Sequence, residues 1–116
     1  MEKPLSYRMR LRLFKEEKCF GHGIADLLAR VSRTGSLRAA AGEMDLAYSK
    51  AWRIVKTSEE LFGFKLLTSQ VGGKNGGGAM LTSEAKDVLV RYERFVEEGK
   101  KAMDVIFVQC FEGIIE

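Results

Sequence analysis

From Gly72 to Gly78 the chain reads Gly-Gly-Lys-Asn-Gly-Gly-Gly, which places five of its 12 glycines in one short run. Glycine has no Cβ to pack and loses the most backbone freedom on ordering, so such a run neither propagates a helix nor fills a strand. It has to be a loop. Its flanks are different: Phe64 to Val71 carries β-branched and aromatic residues, and Ala79-Met80-Leu81-Thr82 is a short apolar return. Strand, glycine tip and strand make a hairpin, with a tip too long for a tight two-residue turn. Any fold for this chain has to accommodate that hairpin between the helical patterns on either side of it.

Upstream, Ile24, Leu27, Leu28 and Val31 recur at helical spacing and predict a first helix over about 23–33, ending at Thr34-Gly35. Ser36 is a good N-cap for a second helix from Leu37 to Glu43 or Met44. Ala39, Ala40 and Ala41 make it small enough for another helix to approach closely. The connection Asp45-Leu46-Ala47 leads to a third helix from about Tyr48 to Leu61, stopped by Gly63. Its expected inward positions are Ala51, Trp52, Val55 and Glu59 or Leu61, with Trp52 read as core. Its outward positions are Ser49, Lys50, Arg53 and Lys56.

At the N-terminus, Leu5, Tyr7, Met9, Leu11 and Leu13 alternate with Ser6, Arg8, Arg10, Arg12 and Phe14. A period of two predicts a half-buried strand with an arginine ladder outside. That ladder is a solvated face in the simplest reading, and a contact to DNA or an acidic partner in the other. Lys15 to Lys18 reads as a polar turn and Cys19-Phe20 as a short return strand. From Ser83 onward the pattern is helical, with Thr82 as N-cap and apolar residues at Ala85, Val88, Leu89, Tyr92, Phe95, Val96, Ala102, Met103, Ile106, Phe107 and Cys110. The end, through Phe111, Ile114 and Ile115, is too apolar to be left in water. A homodimer through Val88, Leu89, Tyr92, Phe95, Val96, Met103, Ile106 and Phe107 is the expected solution.

Several classes of function are disfavoured. At 116 residues there is room for one domain: a body over 1–82, and a dimerisation helix with apolar tail over 83–116. No stretch approaches the ~18 apolar residues of a membrane span, and the charged N-terminus is not a secretory signal. Two Cys and one His point to no disulfide framework and no metal site, and to a cytoplasmic setting. Cys19 and Cys110 read as small buried hydrophobes. The glycine run lacks the order of a phosphate-binding loop and is followed by a strand. No nucleophile–base pair is visible, so neither an enzyme nor a cofactor is expected.

Charge is unevenly distributed: +4 over residues 1–35, +2 over 36–82 and −3 over 83–116, within a total of +3. A basic front and an acidic rear suggest a polyanion-facing end. Helix, tight turn and helix, followed by a hairpin, is an α+β winged helix-turn-helix. A recognition helix in the major groove offers its N-terminal residues to base edges and flanking cations to phosphates. The candidate DNA contacts are Ser36, Arg38, Tyr48, Ser49, Lys50, Arg53, Lys56, and Lys74 and Asn75 in the wing tip. Lys50 and Arg53 are expected to matter most for specificity, and Lys56 and Lys74 to supply phosphate contact.

Those residues also carry a resemblance. Gly35-Ser36-Leu37-Arg38-Ala39-Ala40-Ala41, Tyr48 with Ala51-Trp52, Leu61-Phe62-Gly63, and above all the wing from Gly72 to Thr82 resemble the N-terminal DNA-binding domain of ModE-type molybdate-responsive regulators. The likeness covers roughly residues 5–95. It implies a LysR-like winged-helix fold, a dimer built on the long C-terminal helix, and a two-fold symmetric duplex operator as partner. Full-length regulators of this type carry C-terminal oxyanion-binding domains. None is expected here, and neither is molybdate binding. The sequence departs from the family at Ala47, where a capping Ser is usual, and at Asp45, where Gly is usual; Asp tolerates a left-handed backbone. The alternative from another class is a dimeric winged-helix scaffold for protein–protein interaction, its wing or arginine segment docking an acidic partner.

Overall fold

The computed structural model describes residues 3–70 and 78–115. In chain order they form β1 (Leu13–Lys15), β2 (Glu17–Phe20), α1 (His22–Thr34), α2 (Leu37–Glu43), α3 (Tyr48–Phe62), β3 (Leu67–Gln70), β4 (Gly78–Leu81) and α4 (Ser83–Cys110). Four helices with two small antiparallel pairs, β1–β2 and β3–β4, make the α+β winged helix that the sequence predicts.

The helix ends follow from local chemistry. The Ser36 hydroxyl accepts the Ala39 N–H at 3.0 Å and starts α2. Gly35 and Gly63 close α1 and α3 in the left-handed conformation, at φ 74° and 84°, which glycine adopts without the usual Cβ clash. Thr82 serves two elements. Its hydroxyl caps α4 by accepting the Ala85 N–H and donates to the Lys65 carbonyl at 2.7 Å, fastening the wing's base to the long helix.

Phe20, Leu27, Leu28, Val31 and Leu66 are fully buried at the centre of the body. Phe20 meets the edge of Tyr92 with centroids 5.1 Å apart, which draws the first part of α4 into this core. The Ser58 hydroxyl donates to the Cys19 carbonyl, seating β2 on α3. Across the outside of α1 and α2, Arg30 and Arg33 both reach Glu43.

Two expectations need correction. The N-terminal strand is regular only from Leu13; residues 3–12 form no ladder. The alternation survives from Tyr7 onward: Tyr7, Met9, Leu11 and Leu13 are half-buried, and Arg8, Arg10 and Arg12 are exposed, whereas Leu5, expected on the covered face, is exposed. The covering partner is a helix, not a strand. This arm lies along α4, held by a 2.7 Å hydrogen bond from the Tyr92 hydroxyl to the Leu11 carbonyl and by the Tyr7 hydroxyl, which donates to Asp104. At Gly99 the arm runs close to α4, since a Cβ there would stand 3.3 Å from Leu11 Cδ1. The second correction concerns the polar turn. It is tighter than expected, with Glu16 in the left-handed region at φ 68° and β2 starting already at Glu17.

Helix α4 has 28 residues and so runs for about 42 Å, well past the body. The molecule measures 60 × 34 × 21 Å with a radius of gyration of 17.8 Å, against about 13 Å for a compact chain of ~100 residues. Among the described residues, no helix is long and apolar enough to cross a membrane.

Candidate nucleic-acid interface

The turn between α2 and α3 is built by backbone hydrogen bonds. Asp45 N–H donates to the Gly42 carbonyl at 3.1 Å and Leu46 N–H to the Ala41 carbonyl at 2.9 Å. Asp45 takes the left-handed conformation at φ 55°, where a small polar side chain is better tolerated than a bulky one. Ala40 and Ala41 are buried, so α2 sits close against its neighbours. Ala47 gives α3 no side-chain cap. Its start is therefore set by the turn and by packing alone, at the residue the sequence indicates.

Along α3 the buried line is Ala51, Val55, Ser58 and Glu59. Ser49, Lys50 and Arg53 are exposed, as expected, near the N-terminal half of the helix. Tyr48 is also exposed, and the Arg38 guanidinium of α2 stacks on its ring at 4.3 Å from the centroid. Arg38 and Tyr48 thus tie the starts of the two helices together. Ser36 is half-buried as the cap of α2, which leaves its hydroxyl engaged. Lys74 and Asn75 lie outside the described residues.

Trp52 is not core. It is 48% exposed, because successive helical residues point about 100° apart and Ala51, not Trp52, lies on the buried line. The small side chains of Ala51 and Ser58 are among those of α3 that meet the body.

Lys56 is not a free cation. Its ammonium lies 3.3 Å from Glu59 Oε1 and 5.4 Å from the centre of the Trp52 ring. Glu59, only 7% exposed, accepts the Leu66 N–H at 2.8 Å and the Leu67 N–H at 3.3 Å through Oε2. Burial alone raises its pKa, but the two N–H donors and the Lys56 charge outweigh it, and the carboxyl lies below the ordinary Glu range. Glu59 therefore anchors the wing's first strand to α3 while neutralising the lysine beside it. The sequence allowed Glu59 to turn inward, but nothing in it indicated this double role.

The residues read as a dimer surface divide in two. Tyr92, 5% exposed, is fully engaged within the protomer, and Val88, Leu89 and Val96 pack partly against the same core. Phe95, Met103 and Ile106 are exposed, and Phe107 is half-buried between Tyr7 and Phe111. Val105, Val108, Phe111 and Ile114 add to the exposed apolar surface. Of the two cysteines, Cys19 is buried and Cys110 is exposed, against the expectation that both are buried.

Residues 25–86 match the model of the bacterial regulatory helix-turn-helix proteins of the lysR family. The matched segment runs from α1 through the wing into the start of α4. Over 66 residues, covering 57% of this chain, the protein is 42% identical to the molybdenum-pterin-binding protein MopB of Rhodobacter capsulatus, covering 24% of that protein. Over 102 residues it is 26% identical to the DNA-binding transcriptional dual regulator ModE of Escherichia coli, covering 88% of this chain and 37% of that one. A third relative, the molybdenum transport protein ModE of Azotobacter vinelandii, is 32% identical over 67% of this chain and 29% of its own length. The chain spans a quarter to two-fifths of the length of these relatives.

Proposed function

Because the chain belongs to the bacterial regulatory helix-turn-helix proteins of the lysR family, we propose that it is a sequence-specific duplex-DNA-binding transcriptional regulator acting as a homodimer on a two-fold symmetric operator. The observation that carries this reading is the α2–turn–α3 unit, which leaves Ser49, Lys50 and Arg53 exposed on one helix beside the wing. In the proposed complex α3 enters the major groove. Lys50 and Arg53 meet base edges, Ser49 and Tyr48 help at the helix start, and Arg38 buttresses Tyr48. Lys74 and Asn75 of the wing tip contact the backbone or the minor groove. Lys56, already paired with Glu59, contributes less phosphate attraction than Lys50 or Arg53.

Dimerisation is proposed through Phe95, Met103, Ile106 and their exposed neighbours on α4, because one protomer leaves this apolar face open to water. A C2 dimer presents two recognition helices and so matches a palindromic site. The Escherichia coli relative is a DNA-binding transcriptional dual regulator. Molybdenum, named for the other two relatives, is not proposed as a ligand, since this chain spans only 24% and 29% of their lengths.

Selection from random duplexes tests the reading. Enrichment of a two-fold symmetric motif supports it. Failure to enrich any duplex sinks it and favours the protein–protein scaffold. On the enriched duplex, Lys74→Ala is expected to weaken binding to all sequences alike and to lower the salt slope by about one. Sedimentation that finds only monomer at micromolar concentration sinks the homodimer.

A further inference from the structure

Trp52 is a large aromatic held half out of water on the helix read as the DNA-recognition helix. Neither its own fold nor any role assigned so far accounts for it. Its exposed neighbours on α3 are Ser49 and Arg53, and Tyr48 lies one turn before it. Tyr48 and Trp52 each have a cation at one face: Arg38 lies 4.3 Å from the Tyr48 centroid and Lys56 5.4 Å from that of Trp52. Lys56 is itself held at 3.3 Å by Glu59, which is fixed by the backbone of Leu66 and Leu67. The indole is thus braced from behind by a chain of contacts reaching the buried start of the wing, with much of its surface left free. Bracing an exposed apolar group lowers the entropy lost when a partner covers it.

We infer that Trp52 is a specificity-determining residue that packs against thymine 5-methyl groups in the major groove, alongside the cationic contacts of Lys50 and Arg53. This rests on the DNA-binding reading above. Within that reading the chemistry is specific. The thymine methyl is the one apolar group a base pair shows in the major groove, and Trp52 is the most exposed large apolar side chain of α3. A hydrogen-bonding residue recognises donors and acceptors; an indole surface recognises a methyl by excluding water from it. Lys50 and Arg53 next to it supply the attraction to phosphates and to guanine edges that apolar contact lacks.

The chain has one Trp, so the unaltered protein reports on this residue directly. Duplex binding is followed by anisotropy of a labelled enriched duplex while Trp52 emission is recorded in the same titration. The expected result is an emission shift to shorter wavelength that saturates with the anisotropy. Replacing thymine by deoxyuridine, one position at a time, is expected to weaken binding about tenfold at one or more positions per half-site, the range of a single lost base contact. Trp52→Ala is expected to lose the same discrimination, binding thymine and deoxyuridine duplexes equally, while melting within a degree or two of the parent. Trp52→Phe is expected to restore part of it.

Binding with unchanged Trp52 emission, or with no deoxyuridine position that matters, overturns the inference and leaves the DNA-binding reading intact. A deoxyuridine effect of the same size in Trp52→Ala also overturns it. No anisotropy change with any duplex at low salt sinks both.

Discussion

The body of the molecule and the far half of α4 are built on different terms. In the body, Phe20, Leu27, Leu28, Val31 and Leu66 have no exposed surface and are covered by their own chain. On the far half of α4 and the segment after it, Val105, Ile106, Val108, Phe111 and Ile114 are large, apolar and exposed. The arm covers one side of that half through Tyr7, Met9 and Leu11, and nearer the body a groove of about 740 Å³ lies between the arm, α1 and the stretch of α4 from Leu89 to Lys100. The hydrophobic effect acts equally on both regions, so the difference shows what each still lacks. The body covers those large apolar residues with its own chain; the far half of α4 leaves its own open to water.

The largest effect is expected where the body is broken. Phe20→Ala removes a fully buried ring that touches Phe62 and Tyr92 and should cost about 3–5 kcal/mol, read as a lower midpoint in urea. If the two regions folded independently, the helical signal of α4 would survive that transition. The Phe20–Tyr92 contact predicts that its first half melts with the body.

Next is Ile106→Glu on the exposed helix. The parent's melting temperature should rise with protein concentration, as for a folding-linked dimer, and the variant's should not. Loss of concentration dependence without loss of the body's structure sharpens the contrast; a parent that melts identically at all concentrations breaks it.

Glu59→Ala leaves the N–H groups of Leu66 and Leu67 without their buried acceptor and should cost about 1–3 kcal/mol. The parent also has an acid signature. The folded pKa of Glu59 lies below the ordinary Glu value of 4.5, so its stabilisation is present above that value and is lost as pH falls through the depressed one. The variant should show a shallower loss of stability in acid. Ser36→Ala removes the cap of α2 and should cost about 1 kcal/mol.

The smallest effect belongs to the arm. Asp104, accepting the Tyr7 hydrogen bond, pushes the phenol up to about 12 from 10.0. A raised pKa means stability fully present below the ordinary value and lost as pH rises from about 10 toward 12. The arm should leave α4 in that window, seen as a late phase in tyrosinate absorbance that Tyr7→Phe removes while the body's midpoint stays put.

Much of the fold was legible because helix ends and turns are local chemistry. Ser36, Gly35, Gly63 and Thr82 act on backbone groups within a few residues. The exposure of Ser49, Lys50 and Arg53 was legible from the phase of α3. Trp52 and Lys56 were not. Hydrophobicity predicts that an indole is buried, but burial also needs space, and the space on that side of α3 is fitted to Ala51 and Ser58.

The sequence by itself determined where α1 to α3 begin and end to within about a residue, that α4 starts at Ser83, that a hairpin separates α3 from α4, and that alternate residues of the arm from Tyr7 to Leu13 are half-buried. Tertiary structure alone decided that the arm's partner is a helix, that Glu59 links the wing to α3 and occupies Lys56, and that Trp52 faces outward. The physical reason is range. Capping and periodicity act through neighbours along the chain, whereas the surroundings of an indole, an ammonium or a buried carboxylate are set by residues distant in sequence that only folding brings together.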